Sequence, residues 1–441
     1  MKNSALKLCA ALAAFALADP ANVRSQEPLP HFDVNDVAFL FPTPTADQVN
    51  NNELISGDDL LDDGSTTVWP QRFFKKVIDF AKDDAAAKAN GSAIQFADGL
   101  EDLHNWKVAG IRVNPASLGG SKEMIEGLTK AIGASPELKA AIGAPIVPGI
   151  RLVMQPVTVK DGKVTFHDFA AHVVFNQKAV NTQEELKASD RMKLIVNDLI
   201  DLKKFAKNTD GIKLGEHPGF KVDGFRKKLG EFLKKQLKEE EFAVVSFMGL
   251  ENPKAEPWIF FRVKRKGDTM EKTTIGSFPR DGATAMMLAV RKTPMVQPEP
   301  PSGVVTAPLL EDDVDVNAPM PHPPAQFKDT NLKLKDIPDF VANPKLANTF
   351  NTDCVSCHTE TTRRLTLDLA GKAAPFLAFK LEDDKISGVS DTVSPGKVFG
   401  TSWNVRVFGW GPGKGKPTIV QRAANEAMES ADFFNRVFFK K

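Results

Sequence analysis

The chain has 441 residues, 42% of them hydrophobic, and a formal net charge of +1 at pH 7. That length predicts two domains, three at most, with apolar content sufficient for proper cores. The near-neutral balance excludes the strongly basic field expected of a nucleic-acid protein, so any charge-guided docking is local. There is no tyrosine beside 31 phenylalanines. Phenol chemistry is therefore excluded, and phenylalanine is expected at positions that would otherwise carry tyrosine, keeping the ring and losing the hydroxyl.

The first residues combine Lys2 and Lys7 with an apolar run from Leu8 to Leu17 and small residues at Ala16 and Ala18. This pattern predicts a secretory signal peptide over residues 1–18 and a periplasmic or secreted product. No later stretch approaches the roughly 18 to 20 apolar residues of a membrane span. Cys9 sits inside the apolar run behind Lys7 and Leu8, which is not the setting of a lipid anchor. Its removal with the signal leaves two thiols, Cys354 and Cys357.

Residues 19–68 are rich in Pro, Asn and Asp, including Asp58, Asp59, Asp62 and Asp63, and read as an irregular lead-in. A helix is predicted from near Trp69, because Phe73, Phe74, Val77, Ile78 and Ala81 recur at helical spacing. A second follows at about 122–133. From Ile150 to Phe175 the β-branched content rises around Asp161-Gly162, the signature of a hairpin turn. Thr182 with Glu185 forms a capping-box pattern ahead of the apolar face Met192, Ile195, Val196, Leu199 and Leu202. Phe225, Leu229, Phe232, Leu233 and Leu237 mark another helix. Strands are predicted at Phe242–Met248, Trp258–Lys264 and Ala283–Val290. Together these make an α+β domain over residues 69–292.

From 293 to 324 a run rich in proline, including Pro298, Pro301 and Pro323, predicts a linker with a reach on the order of 100 Å if extended. The last region, 325–441, holds Cys354-Val355-Ser356-Cys357-His358 and a final helix from Thr418 with the stripe Ala424, Ala427, Met428, Ala431, Phe434 and Phe438.

Two thiols and an imidazole at this spacing read as a c-type haem attachment site. The thiols bond the vinyl groups of one porphyrin edge, and the adjacent imidazole reaches the iron. A structural zinc site needs four ligands, and a thioredoxin-like dithiol needs a βαβ setting; neither pattern is present. The run resembles that of the c-type cytochromes, and with the final helix it resembles a class I cytochrome c domain. The resemblance covers the last quarter of the chain. It implies one covalent haem c on Cys354 and Cys357, proximal ligation by His358, attachment after export, and electron transfer to a redox partner protein. The expected fold is thus an α+β N-terminal domain followed by a small, mainly α cytochrome c-like domain.

One departure from the family bears on function: residues 359–417 contain neither methionine nor histidine, so the usual distal ligand is missing. Met320 and His322 in the linker and Met428 in the last helix are the candidate sixth ligands, with Lys397, Lys414 or an open iron face as alternatives. An open face would suit a peroxidase-like haem enzyme or a ligand sensor. His167 and His172, an odd number of residues apart, are expected on opposite strand faces. His31, His104 and His217 read as structural or surface residues. The Gly-Lys run 409–416 fails the phosphate-loop spacing. Trp403 and Trp410 fit either a pocket wall or the core.

Overall fold

A computed structural model describes residues 30–83, 99–116, 122–134, 143–273, 286–289, 333–347, 389–393, 408–411 and 415–439, a few interior positions excepted. It adds short pieces at 381–386 and between 352 and 364. The predicted signal peptide, the linker 293–324, Met320, His322, Cys354, Lys397, Trp403 and Lys414 lie outside the described residues. Residues Phe32–Lys441 form one compact unit.

The helices are α1 (Val34–Val37), α2 (Ala46–Asn50), α3 (Gln71–Asp83), α4 (Lys122–Ala134), α5 (Gln183–Ala188), α6 (Asp190–Phe205), α7 (Phe225–Gln236), α8 (Ile337–Ala342) and α9 (Gln421–Phe434), which runs into a π turn at Asn435–Phe439. The strands are β1 (Ala38–Leu40), β2 (Trp106–Asn114), β3 (Gly149–Lys160), β4 (Lys163–Phe166), β5 (Phe169–Asn176), β6 (Phe242–Asn252), β7 (Ala255–Lys266), β8 (Thr269–Thr273) and β9 (Met286–Ala289). Four short ones follow: β10 (Leu381–Glu382), β11 (Lys385–Ile386), β12 (Phe408–Trp410) and β13 (Pro417–Ile419).

The first nine strands make one antiparallel sheet in the order β1-β2-β3-β5-β6-β7-β8, with β4 on β3 and β9 on β7. The protein is therefore a mixed α+β fold. The hairpin β3–β4 turns at Asp161 and Gly162, whose φ angles of 50° and 70° are those a two-residue turn requires.

The buried apolar residues form two clusters, and the C-terminal segment contributes to both. On one side Ile111, Leu152, Val173, Val245 and Phe261 join Phe73 and Val77 of α3, Leu199 of α6 and Leu229 of α7 in the main core. On the other, Ala38, Leu40 and Val153 meet Phe408, Ile419, Ala423, Ala424 and Ala427. The C-terminal segment thus lies on the sheet's second face. Its apolar stripe is buried, as the spacing of Ala424, Ala427, Ala431 and Phe434 predicts.

Several expectations change. The lead-in is not irregular throughout: Asp33 and Asp36 form a capping box on α1, and β1 supplies the edge strand beside β2. Residues 325–441 were expected as a small, mainly α domain. Where described, they are anchored to the sheet, and the apolar face of α9 is the reason, since it is buried against α1 and β2. Thr182 caps the short α5, while Ser189 caps α6, the helix that carries Met192 and Leu199. Thr418 lies in β13 and pairs with Gly409; the last helix begins at Gln421. Among the described residues no helix is long and apolar enough to cross a membrane.

Candidate functional site

The sheet face beneath α9 carries charge where the opposite face carries hydrocarbon. Residues directly paired across antiparallel strands project to the same side. Arg112 pairs with Arg151, Val153 with His172, His172 with Ser246 and Ser246 with Arg262. Because Arg151 and Val153 are two apart on β3, all of these project from the second face. The strands thereby line up Arg112, Arg151, His172, Ser246 and Arg262 on one surface.

Helix α9 adds Arg422 and Glu426 from above. Glu426 pairs with Arg112 and accepts from Arg422 Nε at 2.8 Å. Burial alone would raise the Glu426 carboxyl, but Arg112, Arg422 and Arg151 together hold it well below the ordinary carboxylate range. Burial, aided by Arg112, Arg262 and Arg422, lowers the Arg151 guanidinium to about 10. Its Nε is buried and meets no hydrogen-bond acceptor among the described residues.

His358 reaches this surface because its own helical segment is clamped to α9. Cys357, His358, Glu360, Thr361 and Arg364 are helical. The first backbone N–H groups of a helix need outside acceptors. Here Gln421 N–H donates to Thr361 Oγ1 at 2.8 Å and Arg422 N–H to Glu360 Oε1 at 2.9 Å. Burial drives the Glu360 carboxyl up to about 7, against the hydrogen bonds it accepts from the Thr361 hydroxyl and Arg422 N–H and against the Arg422 charge. Arg364 forms an ion pair with Asp339 of α8. Held at both points, the segment sets the His358 ring 5.9 Å from that of His172, centroid to centroid, with the planes 26° apart.

His172 is closely surrounded by protein, and burial, then Arg151, His358 and Arg112, hold its imidazole well below the ordinary histidine value, with Glu426 opposing. It is thus neutral near pH 7, the form with a ring nitrogen able to bind a metal. Yet His172, Arg151 and His358 each keep part of their surface accessible.

The other predicted positions separate clearly. Cys357 is half-buried next to His358. Met428 packs against the second apolar cluster. His167 bonds Thr158 at 2.7 Å and stands apart from His172. His104 bonds Asp58 and Asn52. His217 accepts from Gly219 N–H between the rings of Phe39 and Phe225. Trp410 belongs to the core and donates to Phe41 O. Among the described residues no group of three or more His, Cys, Asp or Glu side chains is arranged to hold a metal ion.

From the sequence His172 was weighed only as a partner of His167, and the arginines were given no role. The available signal was an imidazole and three guanidiniums on strands rich in apolar and β-branched residues. Its meaning depended on strand register and on closure by α9.

Fold and site together define an α+β protein with arginines and a histidine on the sheet face that its C-terminal segment covers. Compared with protein-family models, curated proteins and solved structures, the chain has no match in any of the three.

Proposed function

We propose that this is an exported mono-haem c-type protein that passes single electrons to and from a redox partner. The observation that carries the reading is His358: it ends the Cys-x-x-Cys-His run and lies against a sheet face where Arg112, Arg151 and Arg422 act on one carboxylate. Buried guanidiniums call for anions, and the buried, unmatched Nε of Arg151 marks where one is wanted. A porphyrin with two propionates suits that donor set.

In this reading each thiol of Cys354 and Cys357 adds across one vinyl group. A carbon–sulfur bond forms, the thiol proton passes to the other vinyl carbon, and no external oxidant is consumed. His358 supplies the proximal nitrogen. The arginines orient the acidic edge and, as fixed positive charges in a poorly solvated site, favour the state with fewer positive charges. The bound haem supplies one-electron iron chemistry. The sheet and α9 would flank it.

The test is export of the chain in a host that attaches haem. The purified wild type is expected to keep its colour after denaturation, give the pyridine haemochrome of a thioether-linked haem, and exceed its polypeptide mass by one haem. Cys354→Ala with Cys357→Ala is expected to lose all three. A colourless wild type with the bare polypeptide mass overturns the reading.

A further inference from the structure

We propose that His172, on β5, is the second axial ligand of the iron, making the site a bis-histidine centre with His358. This inference rests on the haem reading above and goes beyond it, because the opposite ligand comes from the sheet and from neither the linker nor the last helix.

The first ground is distance. Two imidazoles on opposite sides of one metal, each bound at about 2 Å, have ring centres roughly 6 Å apart once a ring radius of about 1 Å is added at each end. His172 and His358 have their centroids 5.9 Å apart. The same separation fits a loose ring stack, so surroundings decide between the two.

Those surroundings favour a ligand pair. A ring stack chosen for packing would be expected among apolar neighbours. His172 instead shares its sheet face with Arg112, Arg151, Ser246 and Arg262. It also keeps accessible surface within a crowded interior. Arg151 sits one pair along β3 from the residue opposite His172, so its side chain, with the unmatched Nε, projects from the same sheet face. An imidazole pair and an anion-seeking guanidinium side by side match the two ends of one haem: iron and propionate.

Position on rigid elements adds to this. β5 is hydrogen-bonded on both sides, to β3 and β6, and the His358 segment is fixed by Glu360, Thr361 and Arg364. Ligands set on such supports are preorganised and need no large movement to hold a metal. Met428, one of the rival ligands, is engaged in apolar packing.

The experiment uses the exported full-length holoprotein and its His172→Gly variant. Pyridine haemochrome is recorded on each sample to establish covalent haem independently of the sixth ligand. The wild type is expected to be low-spin in both oxidation states and inert to carbon monoxide. Its ferric electron paramagnetic resonance should be the rhombic kind given by two imidazoles with nearly parallel planes. His172→Gly is expected to become largely high-spin and to bind carbon monoxide when reduced, and added imidazole should restore the low-spin spectrum.

Should the glycine variant fail to fold, the near-infrared magnetic circular dichroism of the wild type separates bis-histidine from histidine–methionine ligation without any mutation. A histidine–methionine band, a high-spin wild type, or a His172→Gly spectrum unchanged in a haem-bearing sample overturns the ligand assignment alone. Loss of the low-spin spectrum on replacing His322, with His172→Gly unaffected, does the same. Absence of covalent haem from the wild type overturns both this assignment and the proposed function.

Discussion

The side-chain amide of Gln155 grips the backbone of Trp410 from both sides: Nε2 donates to the Trp410 carbonyl at 2.7 Å, and Oε1 accepts from its N–H at 2.7 Å. Gln155 lies on β3 and Trp410 on β12, so this pair ties the C-terminal segment to the middle of the sheet. Gln155→Met keeps the volume and removes both bonds, leaving two buried backbone groups without partners. At about 1–3 kcal/mol for each stranded group, the loss of stability is expected to be about 2–6 kcal/mol. Urea denaturation of both proteins measures it; a change below about 0.5 kcal/mol, typical of surface substitutions, contradicts it.

Gly409 is placed by the same contact. Its φ is +151°, and a Cβ there would stand 2.3 Å from Gln155 Oε1. Gly409→Ala is expected to destabilise by about 1–3 kcal/mol through backbone strain and this clash. In a Gln155→Ala background the clash disappears, so the double variant should be more stable than the sum of the single losses by at least about 0.5 kcal/mol. Strict additivity would show that the two residues do not meet.

Glu426 is the carboxylate that Arg112, Arg151 and Arg422 share. Replacing it with Gln leaves guanidiniums buried without their counter-charge, with an expected loss of about 3–5 kcal/mol. The pH dependence has a definite sign. A carboxyl held below its ordinary value when folded contributes stability that is complete above its unfolded value of 4.5 and is lost as the pH falls further. The gap between wild type and Glu426→Gln should therefore be widest near pH 6–7 and shrink steadily below about pH 4.5. Denaturant midpoints over that range supply the comparison.

His217 is buried between two phenyl rings, and burial lowers its imidazole to about 3, despite a backbone hydrogen bond at Asn35 that opposes the shift. The unfolded chain takes up the proton near pH 6.5, so acidification favours unfolding through the window from 6.5 down to about 3. At pH 5 the expected loss from this one group is about 2 kcal/mol relative to neutral pH. His217→Asn keeps an acceptor for Gly219 N–H and has nothing to titrate. It should be less stable than wild type at pH 7.5 and lose less on going to pH 5. An equal loss in both proteins removes His217 as the cause.

Local patterns made much of the first sheet face legible. The helical spacing of Phe73, Phe74 and Val77, the Asp161-Gly162 turn and the face of Leu229 and Leu233 all state their structure within a dozen residues, and all are found. Strand β2 escaped because it is buried along nearly its whole length, Lys107 and Arg112 included, and so lacks the alternation that marks a half-exposed strand. The lead-in escaped because β1 takes its identity from a partner far along the chain. At the site, Cys357 and His358 were readable from spacing, whereas His172 became meaningful only through register with Arg151 and Ser246 and through the clamp on α9. Such contacts are set by topology, and single-sequence periodicity carries no trace of them.

The main chain of Phe32 and the side-chain amide of Asn435 bond each other in both directions, Phe32 N–H to Asn435 Oδ1 at 2.7 Å and Asn435 Nδ2 to Phe32 O at 2.9 Å. One of the earliest residues of the compact unit is thereby latched to one of its latest. During synthesis the lid over the charged sheet face cannot shut until the final turns have emerged from the ribosome.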